Sequence, residues 1–151
     1  MDTIRKALTV AERRILQQTL QQWRHKKVSW LMDTFGDIDH TLVCLGNMSE
    51  RGQVVKFYKD GVFQGILAFD VGHVWWTPYR VCTELFVLAV EGAIGFQREA
   101  IRQLDSIAQD YGAHLIVAGN MFQENNALIG NGYKKHGYRQ ECGTYVKEVP
   151  E

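Results

Sequence analysis

The sequence predicts an α/β (α+β) domain in which helices pack on the faces of a mixed sheet. Three observations lead there. β-branched and aromatic runs flank the pair Asp60-Gly61, a strong local signal for an antiparallel hairpin. The apolar run Thr83–Val90 is followed by a glycine-bearing loop, a helix-spaced set and a second apolar run, His114–Ala118. That order is a strand–loop–helix–strand crossover, which joins neighbouring parallel strands by a right-handed connection. Finally, 151 residues with 46% hydrophobic and 23% charged side chains suit a single folded domain over residues 1–151.

Each element has its own signal. Thr3–Leu8 reads as a short first strand, and Thr9-Val10-Ala11-Glu12 has capping-box spacing. Leu16, Leu20 and Trp23 then recur at helical intervals, with Gln17, Gln18, Gln21 and Gln22 on the polar side. Arg24–Lys27 either continues this helix or ends it. A short second helix is expected around Trp30, joined to a loop over Asp33–Asp39 that carries Gly36. Leu42–Leu45 reads as a further short strand. Val54–Tyr58 and Val62–Phe69 are the two arms of the hairpin.

Gly72–Arg80 contains Pro78 and the pair Trp75-Trp76, and reads as a connection with some extended character. Thr83–Val90 is expected to be a central strand covered on both faces. Gly92–Gly95 interrupts it. Ile101, Leu104, Ile107, Ala108 and Tyr111 define an amphipathic helix stopped by Gly112. His114–Ala118 is a second strand of buried type, ended by Gly119-Asn120. Asn126–His136 is helix-like despite Gly130 and Gly132, each of which costs ~1 kcal/mol against alanine. Gly143–Val149 reads as a closing strand.

Charge and motif content exclude several classes. Lys and Arg number 17, as do Asp and Glu, so there is no basic excess to indicate nucleic acid or an anionic membrane surface. No apolar run approaches the ~18 residues of a membrane-spanning helix. The stretch from Met1 to Val10 lacks signal-peptide character. Cys44, Cys82 and Cys142 form no C-x-x-C pair, which suggests reduced thiols and a cytoplasmic protein. The histidines fall in no metal-ligand spacing, and no metal is expected.

The chemistry concentrates in Thr83–Arg98. A buried strand there runs into a loop of small residues that opens a helix. Gly92, Ala93 and Gly95 let backbone N–H groups approach an anion, and the first turn of the helix adds free donors and a positive dipole end. Arg98 can add a charge-assisted contact. The plainer reading is a tight turn whose glycines only relieve sterics.

The order of elements, continued into Asn126…Tyr133-Lys134-Lys135-His136-Gly137-Tyr138, resembles the GNAT acyl-CoA N-acyltransferase family over nearly the whole chain. The most specific part is an Asn, a Tyr seven residues on, then Lys-x-Gly-aromatic; Asn126, Tyr133, Lys135, Gly137 and Tyr138 match. The ending Gly143-Thr144-Tyr145-Val146-Lys147 looks like the last family strand, especially in divergent phage-encoded members. The loop departs from the family's Gln/Arg-x-x-Gly-x-Gly/Ala. Gly95 fits the central glycine, whereas Gly92 stands at the leading position and Gln97 at the final one.

The resemblance implies a mostly antiparallel sheet, an acetyl-CoA donor and direct transfer of its acyl group to an amine, on a small molecule or a peptide. It implies coenzyme contacts from Phe86, Val87, Leu88, Gly92, Ala93, Gly95, Phe96, Gln97, Arg98 and Asn126. The thioester would lie in a splay between Thr83–Val90 and His114–Ala118, its carbonyl polarised by backbone N–H groups from Phe86 to Leu88. Glu84 is the candidate base or a carboxylate at a strand end. Tyr133 matches the acid that protonates the leaving thiolate; otherwise it is a half-buried packing aromatic. Asn126 contacts the pantetheine amides or caps a helix, two compatible roles. His73, Trp75 and Trp76 line an acceptor pocket or pack in the core or a subunit interface, and a homodimer is compatible with the latter. The alternative function is a catalytically silent GNAT-like binding or structural protein, such as a phage virion component.

Overall fold

Thr9 caps the first helix as its spacing predicts. Its hydroxyl accepts from the Glu12 N–H (3.1 Å), and the Glu12 carboxylate accepts from the Thr9 N–H (2.8 Å). The computed structural model describes residues 1–27, 29–119, 126–141 and 145–150, excluding the side chains of 126–128. Its elements are β1 (Asp2–Ile4), α1 (Val10–His25), α2 (Trp30–Phe35), α3 (Ile38–Glu50), β2 (Val54–Lys59), β3 (Val62–Val74), β4 (Thr77–Ala89), α4 (Phe96–Asp110), β5 (Leu115–Val117) and α5 (Asn126–Lys135). The sheet runs β1-β2-β3-β4-β5 in space, antiparallel except for the parallel pair β4–β5.

Two helical layers cover the sheet. Leu16 and Leu20 of α1 and Leu45 of α3 pack with Val54, Ile66, Ala68 and Leu88 on one face. Phe96, Ala100, Leu104 and Ile107 of α4 pack with Val55, Phe57, Leu67, Phe69 and Cys82 on the other. The alternation Val54/Val55 and Ile66/Leu67 is the period of two that sends successive side chains to opposite layers. One polar group crosses this pattern. Lys56 points to the α1 face, 4% exposed, where its Nζ lies 2.9 Å from Glu12 Oε1 and 2.9 Å from the Ala7 carbonyl. Tyr58 also donates to Glu12. The capping carboxylate therefore joins α1 to β2.

Several sequence expectations are corrected. The first strand stops at Ile4 and not Leu8, because the next groups bond elsewhere: Lys56 takes the Ala7 carbonyl, and the Leu8 N–H donates to Ser49 Oγ at 3.0 Å. Leu42–Leu45 is helical, inside α3. Ile38, Leu42, Leu45 and Ser49 recur three and four apart on the side facing the core, while Val43 is 61% exposed. Gly72–Arg80 is no connection but a second hairpin: β3 and β4 pair out to Val74↔Thr77, with Trp75-Trp76 as the turn. β5 is not covered on both sides, since Leu115 and Val117 are largely exposed and only Ile116 packs on the α4 core. Of the expected strand Gly143–Val149, Gly143 and Thr144 lie outside the described residues. Residues 145–149 have no strand pairing among the described residues, and Tyr145 is 99% exposed. β propensity alone makes no strand without a partner edge.

Asp60-Gly61 does form the expected turn. Both residues have positive φ (51° and 77°), the backbone that matches the twist of a two-residue hairpin. No helix among the described residues is long and apolar enough to cross a membrane.

Candidate active site

The site is built where β4 changes the direction of its side chains. Ala68 pairs with Phe86 and Phe69 with Glu84, leaving Leu85 as an extra residue in β4. Such a bulge breaks the alternation and re-aims the side chains on either side of it. Phe86 packs toward the α1 layer. Glu84 would share that side in an unbroken strand; instead it sits opposite Phe69, which belongs to the α4 core. The bulge therefore turns Glu84 toward α4 and α5.

The parallel pairing of β4 with β5 ends at the same place. Its register covers Val81↔Leu115, Cys82↔Ile116 and Thr83↔Val117. From Glu84 to Ala89 the β5-facing edge of β4 has no strand partner among the described residues. The backbone of Phe86, Val87 and Leu88 thus lies beyond the β4–β5 pairing, on an edge without a strand partner among the described residues.

Tyr133 of α5 meets β4 where that pairing ends, and its hydroxyl donates to Glu84 Oε2 at 2.5 Å. The Gly119 backbone N–H also bonds the Glu84 carboxylate. Burial nevertheless dominates and lifts the Glu84 carboxyl to about 7, although both hydrogen bonds act to lower it. Burial, and then the adjacent Glu84 carboxylate, push the Tyr133 hydroxyl far above its ordinary range. The phenol keeps its proton at neutral pH. Tyr138 packs edge-on against Tyr133 at 5.2 Å, and its buried hydroxyl has no partner among the described residues. Cys82 shares this face; burial raises its thiol to about 11, which makes it a poor nucleophile.

The loop after β4 leads directly into α4. Gly92 and Gly95 have φ of 83° and 75°, and Gly95 is the N-cap without a side-chain cap bond. Nothing lies within 4 Å of where a Cβ would stand at either glycine. A side chain would meet no obstacle at either glycine, so what the loop offers an anion is the backbone N–H groups and dipole of a helix start. Ala93 turns back through its N–H to the Val90 carbonyl at 3.1 Å, and Arg98 is exposed on the first turn. Phe96 is 4% exposed, its ring 4.8 Å from Phe57. Only its backbone is available at the helix start. The Gln97 side chain is engaged with α5, donating to the Ile129 carbonyl at 3.0 Å. The Asn126 side chain lies outside the described atoms.

His73, Trp75 and Trp76 are not brought to this centre. The two tryptophans form the tip of the β3–β4 hairpin, 96% and 54% exposed. Trp76 is eight residues along the chain from Glu84, or about 26 Å at the usual strand rise. His73 sits opposite Arg80, four residues from Glu84. Sequence reasoning did not find Gly119, the Leu85 bulge, the Gln97–Ile129 bond or the contact of Tyr138 with Tyr133. Gly119 carried a faint signal as the glycine closing a strand; a bulge at Leu85, beside the apolar run Phe86–Val90, leaves no pattern to read. Among the described residues no three His, Cys, Asp or Glu side chains are grouped as metal ligands.

No family model matches the sequence, and neither does any curated protein. Solved structures do match. A probable acetyltransferase superposes with a TM-score of 0.69 at 12% identity, over 100% of this chain and 99% of that one. The ribosomal-protein-alanine N-acetyltransferase of Brucella melitensis biovar Abortus 2308 gives 0.65 at 11%, over 99% and 100%. An aminoglycoside N-acetyltransferase in complex with CoA gives 0.64 at 12%, over 97% and 93%. The chain has the GNAT fold.

Proposed function

We propose that this chain is an acyl-CoA-dependent N-acyltransferase that passes the acetyl group of acetyl-CoA directly to an amine. The observation that carries the reading is the 2.5 Å contact between Tyr133 and Glu84 at the end of the β4–β5 pairing. An acid and a base there flank an open strand edge, next to a helix start that can take an anion. Bound acetyl-CoA would supply the activated thioester. The backbone from Gly92 to Gly95 and the first turn of α4 would hold its phosphates, and the open edge from Phe86 to Leu88 would face its acyl end.

The residues of the chain then move one proton around a closed path. Glu84, with a carboxyl near 7, accepts a proton from the amine nitrogen as the new C–N bond forms. Tyr133 donates its hydroxyl proton to the sulfur as the C–S bond breaks. Once Glu84 carries the amine proton their hydrogen bond reverses: the Tyr133 hydroxyl turns its own proton to the sulfur, and its oxygen, strongly disfavoured as a phenolate in its buried site, takes the proton from Glu84. The net change is one proton moved from amine to thiol, with both side chains restored.

The acceptor in this reading is an amine on a small molecule or a peptide. The similar structures include one named for an aminoglycoside and one for a ribosomal-protein alanine. Calorimetry and thermal shift with acetyl-CoA test the donor half; a hundredfold excess over the dissociation constant should stabilise the fold by ~2.7 kcal/mol. Thiol release on a panel of amines tests transfer. Absence of binding at millimolar acetyl-CoA overturns the proposal. Binding without turnover across the panel favours the catalytically silent alternative.

A further inference from the structure

The first two side chains of α4 each occupy a space that a glycine leaves open. A Cβ on Gly65 would come within 2.9 Å of the Phe96 ring, and a Cβ on Gly132 would come within 2.9 Å of Gln97 Oε1. Gly132 is not in the positive-φ region, so its backbone does not require glycine. The missing side chain makes room for Gln97, whose Nε2 donates to the Ile129 carbonyl at 3.0 Å. Ile129 and Gly132 lie in the turn of α5 that carries Tyr133.

α5 needs such an anchor. It is ten residues long with glycines at 130 and 132, and a helix that short and that glycine-rich is marginal without tertiary contacts. The position of the Tyr133 hydroxyl is therefore set by what grips the helix, not by the helix itself. We propose that Gln97 is a positioning residue: a latch that ties the start of α4 to α5 and thereby holds Tyr133 against Glu84. Its consequence for turnover rests on the acyltransferase reading, whereas the contact it maintains does not. The latch also joins the start of α4 to the proposed acid, since Gln97 lies two residues after the N-cap Gly95.

Two readouts test it. The first is the titration of the Glu84 carboxyl carbon by NMR in the free protein, for Gln97→Ala, Gln97→Met and Gly132→Ala beside Tyr133→Phe. Gln97→Met fills the Gly132 space without the hydrogen bond, which guards against collapse of the alanine variant. Tyr133→Phe keeps the burial and removes a bond that lowers the Glu84 carboxyl, so it should raise the midpoint. A released α5 also uncovers the carboxyl, and because burial is the larger cause each latch variant should lower the midpoint. The other titratable and charged groups of this face, Cys82, Tyr138, Asp70, Arg5 and Asp105, are the same residues in wild type and in every latch variant. A folded Gln97 variant with an unmoved midpoint overturns the latch.

The second readout is turnover. Gln97→Ala should lower kcat about tenfold, as a misplaced catalytic group does, with KM for acetyl-CoA changed by no more than about twofold. The effect should vanish in a Tyr133→Phe background. An equal loss in both backgrounds overturns the latch. A wild type without turnover on any amine overturns the acyltransferase reading alone, and the titration then decides the latch by itself.

Discussion

Replacing Glu84 by glutamine removes one titration while keeping an oxygen that can accept from Tyr133 and Gly119. In the wild type, burial lifts the carboxyl from an ordinary 4.5 to about 7. The folded state thus holds this proton more tightly than the unfolded chain does. Its stabilising contribution is complete below about pH 4.5 and is lost as pH rises through about 7. At about 1.4 kcal/mol for each pH decade, the interval from 4.5 to about 7 amounts to about 3 kcal/mol. The advantage of Glu84→Gln over wild type should therefore grow by about 3 kcal/mol between pH 4.5 and 8. In a chain of this size that is roughly 6–12 °C in Tm. Urea unfolding followed by tryptophan fluorescence, run on both proteins at each pH, cancels every titration they share. A flat difference refutes the assignment of a buried, high-pKa carboxyl. Activity should move the opposite way, rising through about pH 7 as the base deprotonates.

Tyr133→Phe should lower kcat by about 10²-fold or more, as loss of an acid does, with little change in acetyl-CoA affinity; single-turnover rates check this, and an unchanged rate removes Tyr133 from the acid role. Lys56→Met leaves the Glu12 carboxylate buried without its 2.9 Å partner and should cost about 3–5 kcal/mol. Denaturant unfolding measures that loss, and Glu12→Gln in the same chain should restore part of it. Gly65→Ala would place a Cβ 2.2 Å from the Leu88 carbonyl in backbone at φ 142°. It should destabilise by more than about 2 kcal/mol, and a Tm within a degree of wild type would contradict the packing of Phe96.

Features whose signal is local were legible in the sequence. The Thr9–Glu12 cap, the Asp60-Gly61 turn, α4 and the parallel step from β4 to β5 all depend on residues close together in the chain. Leu42–Leu45 was not, because a short apolar run satisfies helix and strand periods alike; its fate was decided by Leu16 and Leu20 across the layer. The second hairpin has no Gly or Asn at its tip and carries Pro78 just beyond it, two signals that argue against a hairpin. At the site, Tyr133 was expected from a spacing pattern and Glu84 from its place at the start of a strand. Their contact spans 49 positions and depends on the Leu85 bulge, which changes no residue type. Gln97 reads as a misfit in the loop until Gly132 is set beside it; each residue explains the other only in space.

The Glu12 carboxylate also constrains how the chain folds as it is made. Forty-four positions separate it from Lys56, so α1 is complete well before its counter-charge emerges. Burying α1 earlier would strand a carboxylate in an apolar layer, which is strongly disfavoured. The helix is therefore expected to stay solvated, and only marginally helical, until β2 is present. α1 and β2 then form one cooperative unit despite belonging to different layers. Their amides should open with a common free energy in hydrogen exchange, and a helix α1 that opens independently of β2 would contradict this coupling.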